Sequence, residues 1–400
     1  MPAPLLLDLT HTAHTTARTG IQRVARRLLT EFTRRGVVTP ITFDPFEGLW
    51  RALEPWEIAQ LASTTVGRKR SARWPWTARW RGRLRKVIGP RPSPRQLSVA
   101  PGTAFLEPEL FSAATARRHA PLFDLAGGPR VAIFCDAIAL KFPELTPAGT
   151  VARFPSYLQE LARFDAIAAI SGESRDTLAD YWRWLGLHDA PPVEALPLGI
   201  DLPSAADRAA TANAPASAVP VVLCVCTLEG RKNHLTLLEA SEQLWARGAR
   251  FELRLIGMAN AETGRAALSR IGELQTAGRP LRYDGAVADA VVTAAYRECA
   301  FTVYPSLIEG FGLPVLESVA YGKPCICADR GVLGESARGG GCVALPRMEP
   351  APLAEAMERL LNRTDELATL AAAARVRPLK SWSDYTDDML AWLPTVRRRK

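Results

Sequence analysis

Glu309 and Glu317 stand eight positions apart, with Gly310-Phe311-Gly312-Leu313-Pro314 between them. A carboxylate accepts hydrogen bonds from neighbouring hydroxyls, so one of the pair can face a sugar and the other a ribose. Glycines opening onto a helix start leave backbone amides free to hold an anion between them. Pro314 fits the first turn of that helix, where its missing N–H would be unpaired anyway. The bland alternative is a solvated loop glutamate at 309 and a glutamate interacting with the helix dipole at 317. A second basic element lies upstream, in Cys226-Thr227-Leu228-Glu229-Gly230-Arg231-Lys232-Asn233-His234. Arg231 and Lys232 can neutralise a diphosphate; alone, such a pair reads as two surface cations. Both elements follow apolar strand-like runs, and adjacent strand ends in a parallel sheet share one crevice.

The surrounding pattern supplies those strands. The apolar run at 300–303 reads as a buried strand, assigned to 301–304 and stopping at Pro305-Ser306. A helix with Leu316, Val319 and Ala320 on its apolar side follows, ended by Gly322-Lys323-Pro324 before another strand at 325–328. Further strands are expected at 221–226, 251–256 and 281–283. In the N-terminal half, a strand at 5–9 and a Thr/His-rich loop at 10–19 lead to Gly20 and a helix with Ile21, Val24, Leu28, Leu29 and Phe32 at helical spacing. A second strand ends near Phe43. Residues 49–101 read as helix fragments plus a basic insertion. Strands at 102–106, 131–135, 166–170 and 193–196 complete the half. Alternation of this kind predicts doubly wound α/β sheets. Residues 204–217, poor in bulky apolar types, read as a linker. The expected organisation is thus an N-terminal Rossmann-like domain at 1–203, the linker, a C-terminal Rossmann-like domain at 218–378, and a last segment, 379–400, whose helix puts Trp382, Tyr385, Met389 and Trp392 on one side.

With 400 residues, 48% of them apolar, the chain can build two globular cores. No run reaches the roughly 20 apolar residues of a membrane span, and the first residues lack the basic start and apolar length of a secretory signal, so a cytoplasmic protein is expected. The seven cysteines (135, 224, 226, 299, 325, 327 and 342) form no Cys-x-x-Cys pair, and the five histidines no His-x-x-x-His. Reduced core thiols and a metal-free site are expected. Net charge is +9, and residues 68–95 hold eleven Lys or Arg and no acid, so the basicity is local. Trp74, Trp76 and Trp80 are interleaved with it. An anionic membrane surface or lipid-linked acceptor suits this composition best. A solvated insertion without function and nucleic acid binding are the alternatives, nucleic acid ranking last. The basic tail Arg397-Arg398-Arg399-Lys400 extends the same trend.

The Glu309-x7-Glu317 spacing, with Gly310, Gly312 and Pro314 in place, resembles the signature of retaining glycosyltransferases of the GT-B fold, family 4. Lys232 matches the lysine that meets the nucleotide diphosphate in that family, and Thr227 stands where many members have arginine. Arg18-Thr19-Gly20-Ile21-Gln22-Arg23 is similar to the Thr-Gly-Ile-x-Arg start of bacterial polysaccharide transferases, many of them mannosyltransferases. Phe134-Cys135-Asp136, with Phe142-Pro143-Glu144 after it, resembles the family's His-Asp-x-x-Pro segment, but Cys135 replaces the histidine and Ala139 the proline. Gly257 matches a strand-ending glycine, and Tyr283-Asp284-Gly285 a turn near the base. Ser171 matches a post-strand serine and equally fits a helix N-cap.

The resemblance implies two Rossmann-like domains facing across a cleft, with transfer of a hexose from a nucleoside diphosphate sugar and retention at the anomeric carbon. Glu309, Lys232, Arg231 and Asp136 would form the catalytic set, Asp136 on the acceptor side. Glu317, Gly310, Phe311, Gly312, Leu313, Thr227, Gly257 and Gly20 would contact the donor. GDP-mannose is the favoured donor, a polysaccharide or lipid-linked glycan the acceptor, and no cofactor or metal is implied. The expected location is the inner face of the cell membrane. A sugar-nucleotide epimerase or other GT-B enzyme, and a membrane or nucleic-acid adaptor with a vestigial site, are the rival readings.

Overall fold

The computed structural model describes residues 4–16, 20–63, 73–88, 97–212 and 218–399. Contacts divide the chain into two units, the first of residues 1–140, 148–198 and 382–400, the second of residues 141–147 and 199–381. In the first, strands β1 (Leu5–Asp8), β2 (Val38–Asp44), β3 (Leu49–Ala52), β4 (Thr103–Glu107), β5 (Gly127–Phe134), β6 (Ala166–Ala169) and β7 (Val193–Ala195) form a sheet of order β3-β2-β1-β4-β5-β6-β7. Its pairs are parallel except β2 with β3. Every residue of β1, β4 and β6 is buried, as expected where helices cover both sheet faces.

Strand β3 corrects the expectation of helix fragments from residue 49. Gly48, at φ +68°, closes a tight turn that returns the chain antiparallel to β2. The charged Arg51 disguised the strand. It is buried because Asp44 and Glu57, the latter on the helix Pro55–Ala62, take its guanidinium. Helix α1 (Gly20–Arg34) buries Val24, Leu28 and Phe32, with Ile21 and Leu29 only partly covered. Arg35, just beyond it, donates to Asp387 Oδ1 at 2.9 Å and Ser383 Oγ at 2.8 Å. Those acceptors lie on the last helix, Trp382–Trp392, which buries Trp382, Tyr385 and Met389.

The described part of the basic segment forms a helix that packs through one face and leaves the other in solvent. After helix α2 (Pro55–Ala62) comes α3 (Trp76–Ile88), seated through Ala78 and Gly82. A Cβ at Gly82 would lie 2.6 Å from Phe46 Cβ, so only glycine allows this approach. Trp74, expected among the surface indoles, stacks on buried His14 with ring centroids 3.7 Å apart. Residues 68–70, 91 and 95 lie outside the described residues.

The second unit has a six-stranded parallel sheet of order β10-β9-β8-β11-β12-β13. Its strands are β8 (Val221–Val225), β9 (Glu252–Ile256), β10 (Leu281–Tyr283), β11 (Phe301–Tyr304), β12 (Cys325–Ala328) and β13 (Cys342–Leu345). This is the Rossmann order, with its topological switch between β8 and β11. Within the stretch read as a linker, Ala205–Ala212 is a helix of this unit, and its Asp207 pairs with Arg297. The unit boundary falls at 198/199.

At the switch point of the first unit, between β1 and β4, three buried carboxylates gather. Asp8 Oδ1 accepts from Thr10 N at 2.8 Å and Thr10 Oγ1 at 2.5 Å. Glu109 accepts from His11 N and Thr12 N, both at 2.8 Å, and from the Thr12 hydroxyl. Burial raises the pKa of Asp8 and of Glu107, and Asp8 pushes Glu107 further up. Burial and the nearby Asp8 charge raise Glu109 to about 7, against hydrogen bonds from Thr12 and His11. An acid whose pKa rises on folding binds more protons folded than unfolded, so its contribution to stability falls as pH climbs from 4.5 to 7. Such a shift corresponds to roughly 3 kcal/mol. Thermal unfolding of wild type and Glu109→Gln across pH 4.5 to 8 should show wild type losing stability relative to the variant; parallel curves would contradict the assignment.

Candidate active site

The switch point of the second unit brings together the two elements singled out by their chemistry. After β8 the chain makes a 3-10 turn, Gly230–Lys232, and Asn233 follows at φ +55°. Asparagine tolerates this left-handed conformation better than most residues. Its Oδ1 accepts from Thr236 Oγ1 at 2.8 Å, fixing the start of the helix His234–Ala246. The turn after β11 is tied to it: Leu307 N donates to Arg231 O at 2.9 Å.

Glu309 sits at the meeting point, its side chain 8% exposed. Oε1 accepts from Lys232 Nζ at 2.5 Å, Tyr304 OH at 2.9 Å and Ser306 Oγ at 2.5 Å. Oε2 accepts from Arg231 NH1 at 2.8 Å. Lys232 Nζ also donates to the Tyr304 hydroxyl at 2.5 Å, and Arg231 NH2 pairs with Glu229 at 2.8 Å. Burial alone would raise the Glu309 pKa. The Lys232 and Arg231 charges, with hydrogen bonds from Lys232 and Ser306, outweigh that and hold it at about 2. Burial lowers and Glu309 and Glu229 raise the Arg231 pKa, and the net shift is upward. The carboxylate is therefore ionised throughout the neutral range and has no proton to donate. A solvated loop glutamate is excluded.

Downstream, Gly312 adopts φ +88° and precedes the helix Leu313–Ala320, which has no side-chain N-cap and carries proline in its first turn. Ser336 Oγ donates to Phe311 O at 3.1 Å, and a Cβ on Gly312 would lie 3.1 Å from Leu333 Cδ2. Gly310 leads into this turn, and Glu317 is half-buried on the helix. Gly257, at φ +149°, passes so close to the end of β8 that a Cβ would lie 2.0 Å from Cys226 O, beside Thr227. Its N–H donates to Gly285 O at 2.8 Å and its carbonyl accepts from Tyr283 OH at 2.9 Å. Thr227, Gly257, Tyr283 and Gly285 are thus one cluster. A cavity of about 690 Å³ elsewhere in this unit, lined by Arg208, Arg297, Lys323 and Arg375 among others, shares none of these residues.

Asp136 and Gly20 belong to the first unit. Asp136 Oδ1 accepts from Ile138 N at 3.0 Å. The neighbouring Cys135 thiol is pushed up to about 12 by burial and by Asp136, so it stays protonated. A Cβ at Gly20 would meet nothing within 4 Å. Arg18 and Thr19 of the same motif lie outside the described residues. Ser171 caps the helix Gly172–Trp184, its Oγ accepting from Ser174 N at 3.1 Å. Tyr304, Ser306 and Glu229 were missed as site residues. They were read as the end of a strand, a turn and a loop, although a hydroxyl on the last residue of a buried strand at a switch point was a usable signal.

Residues 219–363 match the family model of glycosyl transferases group 1. The chain is similar to bacterial mannosyltransferases. It is 26% identical over 349 residues to the serotype-specific mannosyltransferase WbdA of Escherichia coli, covering 84% of this chain and 40% of that protein. It is 33% identical over 166 residues to the O-antigen chain mannosyltransferase B of Escherichia coli, covering 41% of this chain and 43% of that protein. The chain thus spans less than half the length of these relatives. Its fold resembles sucrose-phosphate synthase from Thermosynechococcus elongatus, with a TM-score of 0.66, 16% identity and coverage of 98% of both chains. It also resembles Anabaena HepE, solved in complex with UDP and glucose, with a TM-score of 0.65, 15% identity and coverage of 98% of this chain and all of that one. The fold class is GT-B, as the sequence led one to expect.

The Gly257 contact gives a direct check. A methyl there adds backbone strain of about 1–3 kcal/mol and overlap of about 1–3 kcal/mol. Gly257→Ala should therefore unfold at clearly lower urea concentration, whereas a midpoint equal to wild type would show that the crossing is not as close as described.

Proposed function

We propose that the chain is a retaining, metal-independent glycosyltransferase that moves a hexose, mannose first among candidates, from a nucleoside diphosphate sugar to a hydroxyl of a polysaccharide or lipid-linked glycan. The carrying observation is the buried Glu309 carboxylate held by Arg231 and Lys232 at the switch point of the second unit. Arg231 and Lys232 oppose the charge that develops on the leaving diphosphate, the kind of interaction that usually dominates catalysis. Supplying that charge from side chains removes the need for a divalent ion in the chemistry. Glu309 and the backbone from Gly310 to Leu313 hold the sugar, Glu317 the ribose hydroxyls, and Thr227 and Gly257 line the nucleotide side. Attack proceeds on the face the diphosphate leaves, with the leaving phosphate oxygen taking the acceptor's proton, so Glu309, held ionised, need neither give nor take one. Asp136 orients the acceptor, and Gly20 lets backbone approach substrate. GDP-mannose is the favoured donor, its mannose supported by the relatives' being named mannosyltransferases.

Membrane contact is assigned to α3. Trp76 and Trp80 are 75% and 58% exposed, and with Val87 and Arg83 they fall on one helical face, opposite buried Ala78 and Gly82. Leu84 and Arg79 flank that stripe in the open. Indoles suit the headgroup layer, and each basic residue near anionic lipid adds about 1 kcal/mol. Among the described residues no helix is long and apolar enough to cross a membrane, so the reading is a peripheral contact at the inner face.

Purified protein incubated with GDP-mannose and glycan acceptor in excess EDTA should form a product whose anomeric configuration, read by NMR, matches the donor. Lys232→Ala should lower kcat about 100- to 1,000-fold; retained turnover would remove the assignment. In vesicle flotation, Trp76→Ala/Trp80→Ala should lose binding to anionic vesicles while still turning over a soluble acceptor. Undiminished flotation would move the contact elsewhere.

A further inference from the structure

Behind the turn that carries Arg231 and Lys232 lies a cluster the transfer chemistry does not use. Cys224, in β8, and Cys226, the residue just past its end where the chain still bonds Ile256, are two apart, so the extended backbone puts both side chains on one face of the sheet. His234 opens the helix His234–Ala246, and its ring turns back toward that face. The two sulfurs are 3.7 Å apart, and His234 Nε2 lies 3.9 Å from Cys224 Sγ and 3.4 Å from Cys226 Sγ. In a tetrahedral zinc site the same edges are about 3.8 Å between sulfurs and about 3.6 Å from sulfur to nitrogen. Cys224 and His234 are buried and Cys226 is half-buried, which leaves one side from which an ion could enter.

We propose that Cys224, Cys226 and His234 form a three-ligand site for a thiophilic divalent cation of the zinc class, anchored beneath the Arg231-Lys232 turn. The Cys-x-Cys-x7-His spacing escapes the usual sequence patterns because the strand supplies two ligands and the following helix start the third. Binding is an exchange of protons for metal. Each thiol releases one proton to solvent, His234 binds through unprotonated Nε2, and affinity therefore rises with pH. The opposing feature is His234 Nδ1, which is buried and finds no hydrogen-bond partner among the described residues. Three protein ligands leave a fourth position for solvent. The site is distinct from the transfer chemistry, so its test does not depend on whether the chain moves a sugar.

Full-length reduced protein, stripped with chelator and reloaded with Zn2+, should retain one equivalent after gel filtration, measured by mass spectrometry of the metal. Co2+ as probe should give a thiolate-to-cobalt charge-transfer band that Zn2+ abolishes. Cys226→Ser and His234→Asn should each weaken Co2+ binding more than about tenfold, with circular dichroism confirming folding, whereas Cys299→Ser should leave it intact. The proposal fails if unsubstituted protein retains no stoichiometric Zn2+, which requires no variant to fold. It fails equally if a folded Cys224→Ser/Cys226→Ser protein retains as much as wild type.

Discussion

A carboxylate buried between two cations organises the second unit. Removing Glu309 from water is costly, and that cost is offset only because each oxygen finds a charged donor and Oε1 two hydroxyls besides. The consequence is mechanical as well as electrostatic. Arg231 and Lys232 come from the turn after β8 and Glu309 from the turn after β11, so the ion pairs and the Leu307-to-Arg231 backbone bond fasten two strand-end loops into one rigid body. Long, flexible lysine and arginine side chains are thereby positioned before any ligand arrives, which is what a preorganised anion site requires.

The switch point of the first unit solves the burial of carboxylates differently. Asp8, Glu107 and Glu109 gather with backbone amides and threonine hydroxyls as their principal donors. With no cation among those donors, burial pushes all three pKa values up rather than down, and neighbouring carboxylate charge adds to it at Glu107 and Glu109. The same residue type at equivalent places in two similar sheets is thus ionised in one and prone to protonation in the other. The difference follows from what faces each group, not from the carboxylates themselves.

The strands were legible because parallel sheets covered on both faces read as short apolar runs, and those at 281–283, 301–304 and 325–328 match the observed ones residue for residue. Strand β3 was hidden because Arg51 is charged and its burial depends on Asp44 and Glu57, a tertiary fact no local pattern reveals. Trp74 illustrates the reverse error. Its basic neighbours made it look like a surface indole, but a stacking partner sixty residues away in sequence, His14, takes it into the structure. In the site, Arg231, Lys232 and Glu309 were found from spacing and charge. Tyr304 and Ser306 were passed over because a hydroxyl at a strand end, though usable, is a weak signal until the partner it bonds is known.

The two cations are not equivalent. Lys232 is 9% exposed in its side chain and is shared between Glu309 and Tyr304, whereas Arg231 is 23% exposed and keeps part of its guanidinium open. In the proposed reading, an incoming diphosphate meets Arg231 first, since a planar guanidinium can serve Glu309 with one nitrogen and a phosphate with another. Lys232 has a single nitrogen with three protons, two of them already directed to Glu309 and Tyr304. It can take a phosphate oxygen with the third without surrendering either partner. Charge is then added to the site without breaking the network that orders it, and the negative charge growing on the leaving group is met by donors that need not reorganise.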